Sequence, residues 1–324
     1  MTALGYTLSS EEHPPDALVA NAVRAEELGF DFLSISDHYH PWIGEQGHSP
    51  FVWSVLGAIA HGTELVRVGT GVTCPIMRIH PAVLAQAVAT TSLLFEGRFF
   101  FGVGSGEALN EHIVGQRWPS APVRLEMLEE AVVIMRALFD GESISYRGEF
   151  YEVENAKLFD SPDSPVPIIV SGFGEEAAKL AGRIGDGFWG NAPDADLVGA
   201  FEKAGGAGPR YAQLNLCWAA NEPDARKTVH RVWPTSAVPG QLSQDLPTWT
   251  HFEQAIENVS EDDATASTPC GPDIVDDLLG SVAKYVDAGY THLYFHQIGP
   301  DQQGFLRFWE SELGPALRER SAAA

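Results

Sequence analysis

The stretch Ser34-Ile35-Ser36-Asp37-His38-Tyr39-His40-Pro41-Trp42 decides how the rest of the chain is read. It closes an apolar run from Phe32 that has the length of a buried strand. It then breaks into an acid, two imidazoles, a proline and an indole, which the packing of a strand end does not require. Where parallel strands feed a barrel, chemistry collects at their C-terminal ends, because the loops there surround one pocket. An imidazole that titrates near neutrality, beside an indole N–H, has the makings of an acid/base site. Two plainer readings stand beside it. His38 could be a loop residue bonded only to backbone. His38 and His40 could ligate zinc, but Pro41 ends the strand on which alternate residues share a face, and no carboxylate or Cys stands nearby at a familiar ligand spacing.

Outward from this stretch, strand-length and helix-length segments alternate. Residues 4–9, 32–36, 66–74, 98–103, 166–171, 187–190, 211–219 and 292–296 read as strands. Residues 15–28, 51–61, 81–95, 123–139, 175–184, 196–204, 274–288 and 302–319 read as the helices that follow them. Alternation of this kind predicts an α/β protein, and about eight short strands favour a closed (β/α)8 TIM barrel over an open doubly wound sheet. Two segments exceed a minimal barrel. Residues 143–153 alternate like a surface hairpin, and 222–268, long, polar and interrupted by Pro, read as an insertion over the pocket. The whole of 1–324 is read as one domain carrying these insertion segments.

The composition narrows the partners. The chain has 324 residues, 44% of them hydrophobic, enough for one large core. Its 44 acidic residues against 20 basic ones give a formal charge of -24, a field that repels nucleic acid and anionic membranes. No segment approaches the roughly 18 consecutive apolar residues of a membrane span. The first strand begins almost at once, which leaves no room for a signal peptide, and Cys74, Cys217 and Cys270 are too scattered for a disulfide framework or zinc motif. A reduced, cytoplasmic enzyme is the expectation. The acidic, Lys-poor surface also fits a protein working in concentrated salt, although compositional bias of the genome explains it almost as well.

Two glycine loops stand at other strand ends. Phe101-Gly102-Val103-Gly104-Ser105-Gly106-Glu107-Ala108-Leu109-Asn110-Glu111 lets backbone approach a ligand closely, or makes a tight turn only. Its spacing is not a dinucleotide fingerprint. Glu107 is an acid that must be solvated, paired or used at such a place. Ser171-Gly172-Phe173-Gly174-Glu175 precedes a helix, where free N–H groups bind phosphate, or is an ordinary strand–helix turn.

Ser36-Asp37-His38-Tyr39-His40-Pro41-Trp42, Gly102-Val103-Gly104-Ser105-Gly106-Glu107-Ala108-Leu109-Asn110-Glu111 and Gly182-Arg183-Ile184-Gly185-Asp186-Gly187-Phe188 together resemble the luciferase-like flavin and deazaflavin oxidoreductases. Within them the pattern is most similar to the coenzyme F420-dependent glucose-6-phosphate dehydrogenases. The resemblance implies a luciferase-like TIM barrel, commonly a homodimer, with F420 at the C-terminal mouth. It implies a non-proline cis peptide at Gly71–Val72, with Asp37, Gly71, Val72, Gly106, Glu107 and Asn110 near the cofactor ring. It also implies that Ser171, Gly172, Phe173 and Gly174 surround the cofactor phosphate. His38, Trp42 and Glu107 match the catalytic trio, and Glu11 a substrate-contacting acid.

The chemistry then expected is hydride transfer from a CH–OH carbon to the deazaflavin, with His38 as general base and Trp42 donating one hydrogen bond. Glu107, if protonated, would serve the reduced ring. The family's sugar-phosphate enzymes hold phosphate with cationic residues, where this chain aligns Asp194, Leu242 and Thr268. That departure favours a neutral sugar or secondary alcohol, with Trp189, Trp218, Trp233 and Trp249 as candidate walls or plain packing. The alternatives are an F420-dependent reductase running in reverse and an FMN-dependent monooxygenase of the same superfamily.

Overall fold

The computed structural model describes residues 2–162 and 164–323. Eight parallel strands close a barrel in the order β1-β10-β9-β8-β7-β4-β3-β2. They are β1 (Ala3–Leu8), β2 (Phe32–Ile35), β3 (Arg67–Thr70), β4 (Phe99–Val103), β7 (Ile168–Ser171), β8 (Gly187–Gly190), β9 (Arg210–Leu216) and β10 (His292–Gln297). The remaining pair, β5 (Ile144–Arg147) and β6 (Glu152–Ala156), is an antiparallel hairpin outside the barrel, as the alternation of 143–153 predicts. The TIM-barrel expectation holds.

Period-two alternation sorts each strand's side chains between two cores. Leu4, Tyr6 and Leu8 of β1 face the helices, as do Leu293 and Phe295 of β10. Phe32, Phe100, Ile169, Trp189, Tyr211 and Tyr294 point inward and fill the lower barrel. Trp189 stacks on Tyr211 at 5.0 Å between centroids and donates its indole N–H to the Tyr294 hydroxyl at 2.6 Å. Trp189 is therefore a plug of the barrel floor rather than a wall of the pocket. Trp218 also belongs to packing, stacked on Phe308 of the last helix at 6.2 Å.

Two departures from the predicted elements bear on the mouth. The apolar run 66–74 ends as a strand at Thr70. The Gly71–Val72 peptide is cis, as the resemblance implies, and Thr73 returns only as an isolated bridge to Val103. A four-residue helix, Ala108–Glu111, follows the β4 glycines directly. Residues 222–268 form a run of short helices, among them Glu222–Val232 and Trp249–Ala255. That run packs onto the mouth. Phe252 and Val238 join Ile43 and Leu109 in one apolar cluster, and Gln46 donates to Val232 O at 3.1 Å.

Candidate active site

The expected trio comes together, and Glu11 joins it. After β1 the chain turns so that the Ser9 and Ser36 hydroxyls both donate to Glu11 Oε2, at 3.0 and 2.6 Å. This leaves Glu11 Oε1 facing His38 Nε2 at 3.4 Å, and Glu107 Oε2 lies 3.8 Å from the same nitrogen. His38 Nδ1 sits 3.3 Å from the His40 carbonyl. A bond there puts a proton on Nδ1 and turns Nε2 toward the two acids. The Trp42 ring lies 5.0 Å from His38 and is wedged on its other side by Phe252 at 5.1 Å. Among the described residues the Trp42 indole N–H has no partner, so it is free to donate to a ligand.

Asp37 and Asn110 also brace the site. Asp37 accepts from Thr73 Oγ1 at 2.8 Å and Arg78 Nη2 at 2.9 Å, and only 1% of its side chain is exposed. Both oxygens are engaged within the protein, so this carboxylate also fixes the loop that carries His38. Asn110 Oδ1 accepts from the backbone N–H of Tyr39 and His40, and its amide donates to Glu107 at 3.2 Å. One buried side chain thereby ties the His38 loop to the acid facing it. Beneath them Arg78 also meets Glu111, whose Oε2 accepts from the Arg78 backbone N–H at 2.7 Å. Burial pushes the Glu111 carboxyl up to about 7, the Arg78 charge only partly opposing this. Burial works against charge on Arg78 too, but Asp37 and Glu111 more than offset it and raise its pKa.

The β4 glycines are explained by the protein's own packing. Gly106 has φ 74°, and a Cβ there would run into Cys74 Sγ. The β7 loop is different. Gly172 is crowded by the backbone of Ala177 and Ala178, whereas nothing lies near a Cβ built on Gly174. Gly174 begins the ten-residue helix Glu175–Ile184 without a side-chain cap. Its first N–H groups carry no side-chain cap, which fits the phosphate of a cofactor. Phe173 is half exposed beside them, and Val72 is only partly covered at the cis peptide.

The three positions aligned with a phosphate grip do not act as one set. Asp194 Oδ1 accepts from the N–H groups of Asp196 and Leu197 and caps the helix Ala195–Lys203. Its carboxylate has a folding role, so its presence does not by itself argue against an anionic substrate. Leu242 is exposed, and Thr268 is buried with its hydroxyl unpartnered among the described residues. Trp249 lies 41% exposed on the insertion, and Trp233 sets its edge over His296 at 4.6 Å.

The last contact belongs to a group missed from sequence. Glu12 Oε1 meets His296 Nε2 at 2.6 Å, both side chains 2% exposed, and Glu12 Oε2 accepts from Gly299 N–H at 2.7 Å. Burial alone would raise the Glu12 carboxyl, but the His296 ring and the Gly299 bond bring it below the usual range. His13 is buried beside them with Nε2 unpartnered, and burial pushes its imidazole down. The tandem Glu-Glu-His after the first strand, together with a His at an inward position of the last, was the available signal. Among the described residues no group of three or more His, Cys, Asp or Glu is placed to hold a metal ion, and no helix is long and apolar enough to cross a membrane.

Known proteins resemble this chain along nearly its whole length. A dehydrogenase of Microbacterium testaceum, named F420-dependent glucose-6-phosphate dehydrogenase, is 36% identical over 98% of both chains. A protein of the same name from Amycolatopsis mediterranei is 35% identical over 98% of this chain and 99% of its own. Among solved structures, an F420-dependent secondary alcohol dehydrogenase in complex with an F420-acetone adduct superposes with a TM-score of 0.89 at 30% identity, covering 97% of this chain and 98% of that one. The luciferase-like monooxygenase family model matches residues 1–283, and the chain belongs to that family.

Proposed function

We propose that the chain is an F420-dependent dehydrogenase that oxidises a CH–OH group of an uncharged small molecule. The observation that carries this reading is His38 Nε2, poised between Glu11 Oε1 and Glu107 Oε2 beside the free indole N–H of Trp42. Relatives at 36% and 30% identity bear names with the same cofactor and reaction type. The deazaflavin, when bound, supplies a two-electron hydride acceptor. His38 Nε2 takes the hydroxyl proton as hydride leaves the adjoining carbon, so that a carbonyl forms. The proton rests between the two carboxylate oxygens. Trp42 donates to the oxygen that gains charge as it loses its proton. Glu107, 28% exposed and held by Asn110, is the acid able to exchange a proton with the bulk or with bound cofactor. Asp37, Gly71, Val72, Gly106 and Asn110 would flank the ring, and Ser171, Gly172, Phe173 and Gly174 would hold the phosphate at the uncapped helix start. The reverse reaction uses the same groups, with His38 returning the proton.

For the substrate we favour a neutral molecule, because two buried arginines have their charge taken up within the protein. Arg78 is bound to Asp37 and Glu111, and Arg124 to Pro119 O and Gln244 Oε1, both at 2.8 Å. Neither guanidinium is open to grip a phosphate. The rival is glucose 6-phosphate, for which the relatives are named. Bleaching of oxidised F420 by glucose, glucose 6-phosphate and 2-propanol in parallel tests this. Bleaching by a neutral compound and not by the phosphate is expected. Bleaching by glucose 6-phosphate alone would overturn the substrate class, and none with any alcohol would overturn the dehydrogenase reading.

A further inference from the structure

The inward positions of β9 and β10 change character toward the mouth. Lower down they are the sealed rings of Tyr211 and Tyr294. One rung higher, Gln213 pairs in register with Tyr294, and Asn215 with His296. Gln213 and Asn215 point into the barrel yet are only partly covered, so they open on the mouth. Gln213 Nε2 donates to Asn215 Oδ1 at 2.7 Å, and His296 Nδ1 lies 3.3 Å from each of these two atoms. One end of each amide is thereby used. The other ends, Gln213 Oε1 and Asn215 Nδ2, have no partner among the described residues and are not among its buried unpaired atoms.

A free acceptor beside a free donor is the complement of a hydroxyl, which donates one hydrogen bond and accepts others. The support behind them is rigid. Glu12 holds His296 Nε2 at 2.6 Å, and the Trp233 edge closes over the same ring. The tandem glutamates join this arc to the catalytic one, since Glu11 faces His38 and Glu12 faces His296. Strands β2, β1, β10 and β9 are successive in the barrel. At about 4.8 Å per strand, the amides lie about 14 Å round the wall from β2. A compound that touches both the amides and the His38 loop must therefore be longer than a three-carbon alcohol.

We infer that Gln213 and Asn215, oriented by His296, hydrogen-bond a substrate hydroxyl other than the one oxidised, so that the substrate is an uncharged polyhydroxy compound such as a free sugar or polyol. The inference rests on the dehydrogenase reading and names the substrate class of that same site.

The test is steady-state F420 reduction by glucose, mannitol and 2-propanol in wild type, Gln213→Leu and Asn215→Leu. Calorimetric titration of the same compounds into each protein runs beside it. Wild type is expected to favour a polyhydroxy compound, and each variant to lower the ratio of kcat/KM, polyol over 2-propanol, about tenfold, the worth of roughly one hydrogen bond. An unchanged ratio in both variants, or wild-type preference for 2-propanol, overturns the inference and leaves the dehydrogenase reading standing. No turnover with any alcohol contradicts that reading instead, and calorimetry then decides the inference. Polyol binding lost in the variants supports it, and no polyol binding by wild type overturns it. Should the Leu variants misfold, Asn215→Asp, which replaces the free donor by an acceptor at nearly constant shape, carries the same expectation.

Discussion

Two adjacent glutamates reach two histidines in this barrel, and the pairs differ in every respect that matters for chemistry. Glu12 and His296 meet at 2.6 Å with both side chains 2% exposed, and the second Glu12 oxygen is closed by Gly299 N–H. Glu11 and His38 stand 3.4 Å apart, with the His38 side chain 10% exposed and another acid 3.8 Å from the same nitrogen. The tight pair has no atom left to offer a ligand on its bonded side. The loose pair is incomplete, and the missing partner is what a substrate hydroxyl can supply. Satisfied buried groups hold a fold together, and the under-satisfied one beside them is available for a reaction.

The largest consequence concerns stability. His296→Ala leaves Glu12 buried without its partner and is expected to cost about 3–5 kcal/mol, whereas His38→Ala should change stability far less. Urea unfolding of both variants checks this, and equal losses would erase the distinction between the pairs. Next in size is the effect on turnover of the acid facing His38. Glu11→Gln keeps the shape and can still accept from Ser9 and Ser36, but removes a charge beside the base. It is expected to lower kcat about 10–100-fold, within the range of general acid–base contributions, with F420 binding unchanged by fluorescence titration. A wild-type kcat would limit Glu11 to shaping the loop.

The buried acids also set opposite pH trends. The Glu12 carboxyl is held below its ordinary value, so its share of stability is present above about pH 4.5 and is lost as pH falls through the folded value. His292, pushed down to about 4 by burial, adds to acid loss, since its share is present above its ordinary value of 6.5 and fades as pH falls toward 4. Glu111 runs the other way. Raised to about 7, it contributes stability fully present below about 4.5 and lost as pH rises through 7. Glu111→Gln should therefore flatten the decline in stability between pH 5 and 8, and melting curves across that range would show an unaltered slope if Glu111 does not titrate there. The smallest expected effect is that of salt. With a net charge of -24, screening by molar KCl should raise Tm by a few degrees, and a fall would end the reading of the surface as adapted to salt.

Much of the fold was legible because strand and helix lengths alternate from Leu4 onward and branched or aromatic residues sit where parallel strands are buried. The end of β3 was not, since the apolar run continues to Cys74 while the ladder stops at the cis peptide after Thr70. His38, Trp42 and Glu107 were legible as motif residues, and the distances join them. Asp37 and Asn110 were legible as site positions but not as braces, because their partners Arg78 and Tyr39 N–H come from folded loops. The Glu12–His296 bond spans 284 residues and exists only once β1 lies beside β10. The cap at Asp194 was legible locally, since an Asp just before a helix is a capping signal.

The most direct test of the central claim is His38→Ala, measured for F420 reduction by whichever alcohol the wild type oxidises and for F420 affinity by fluorescence. The account predicts a fall in kcat of about 10²–10⁴-fold with cofactor affinity retained. Wild-type turnover in that variant would show that the base lies elsewhere and that the open pair is not the reacting one.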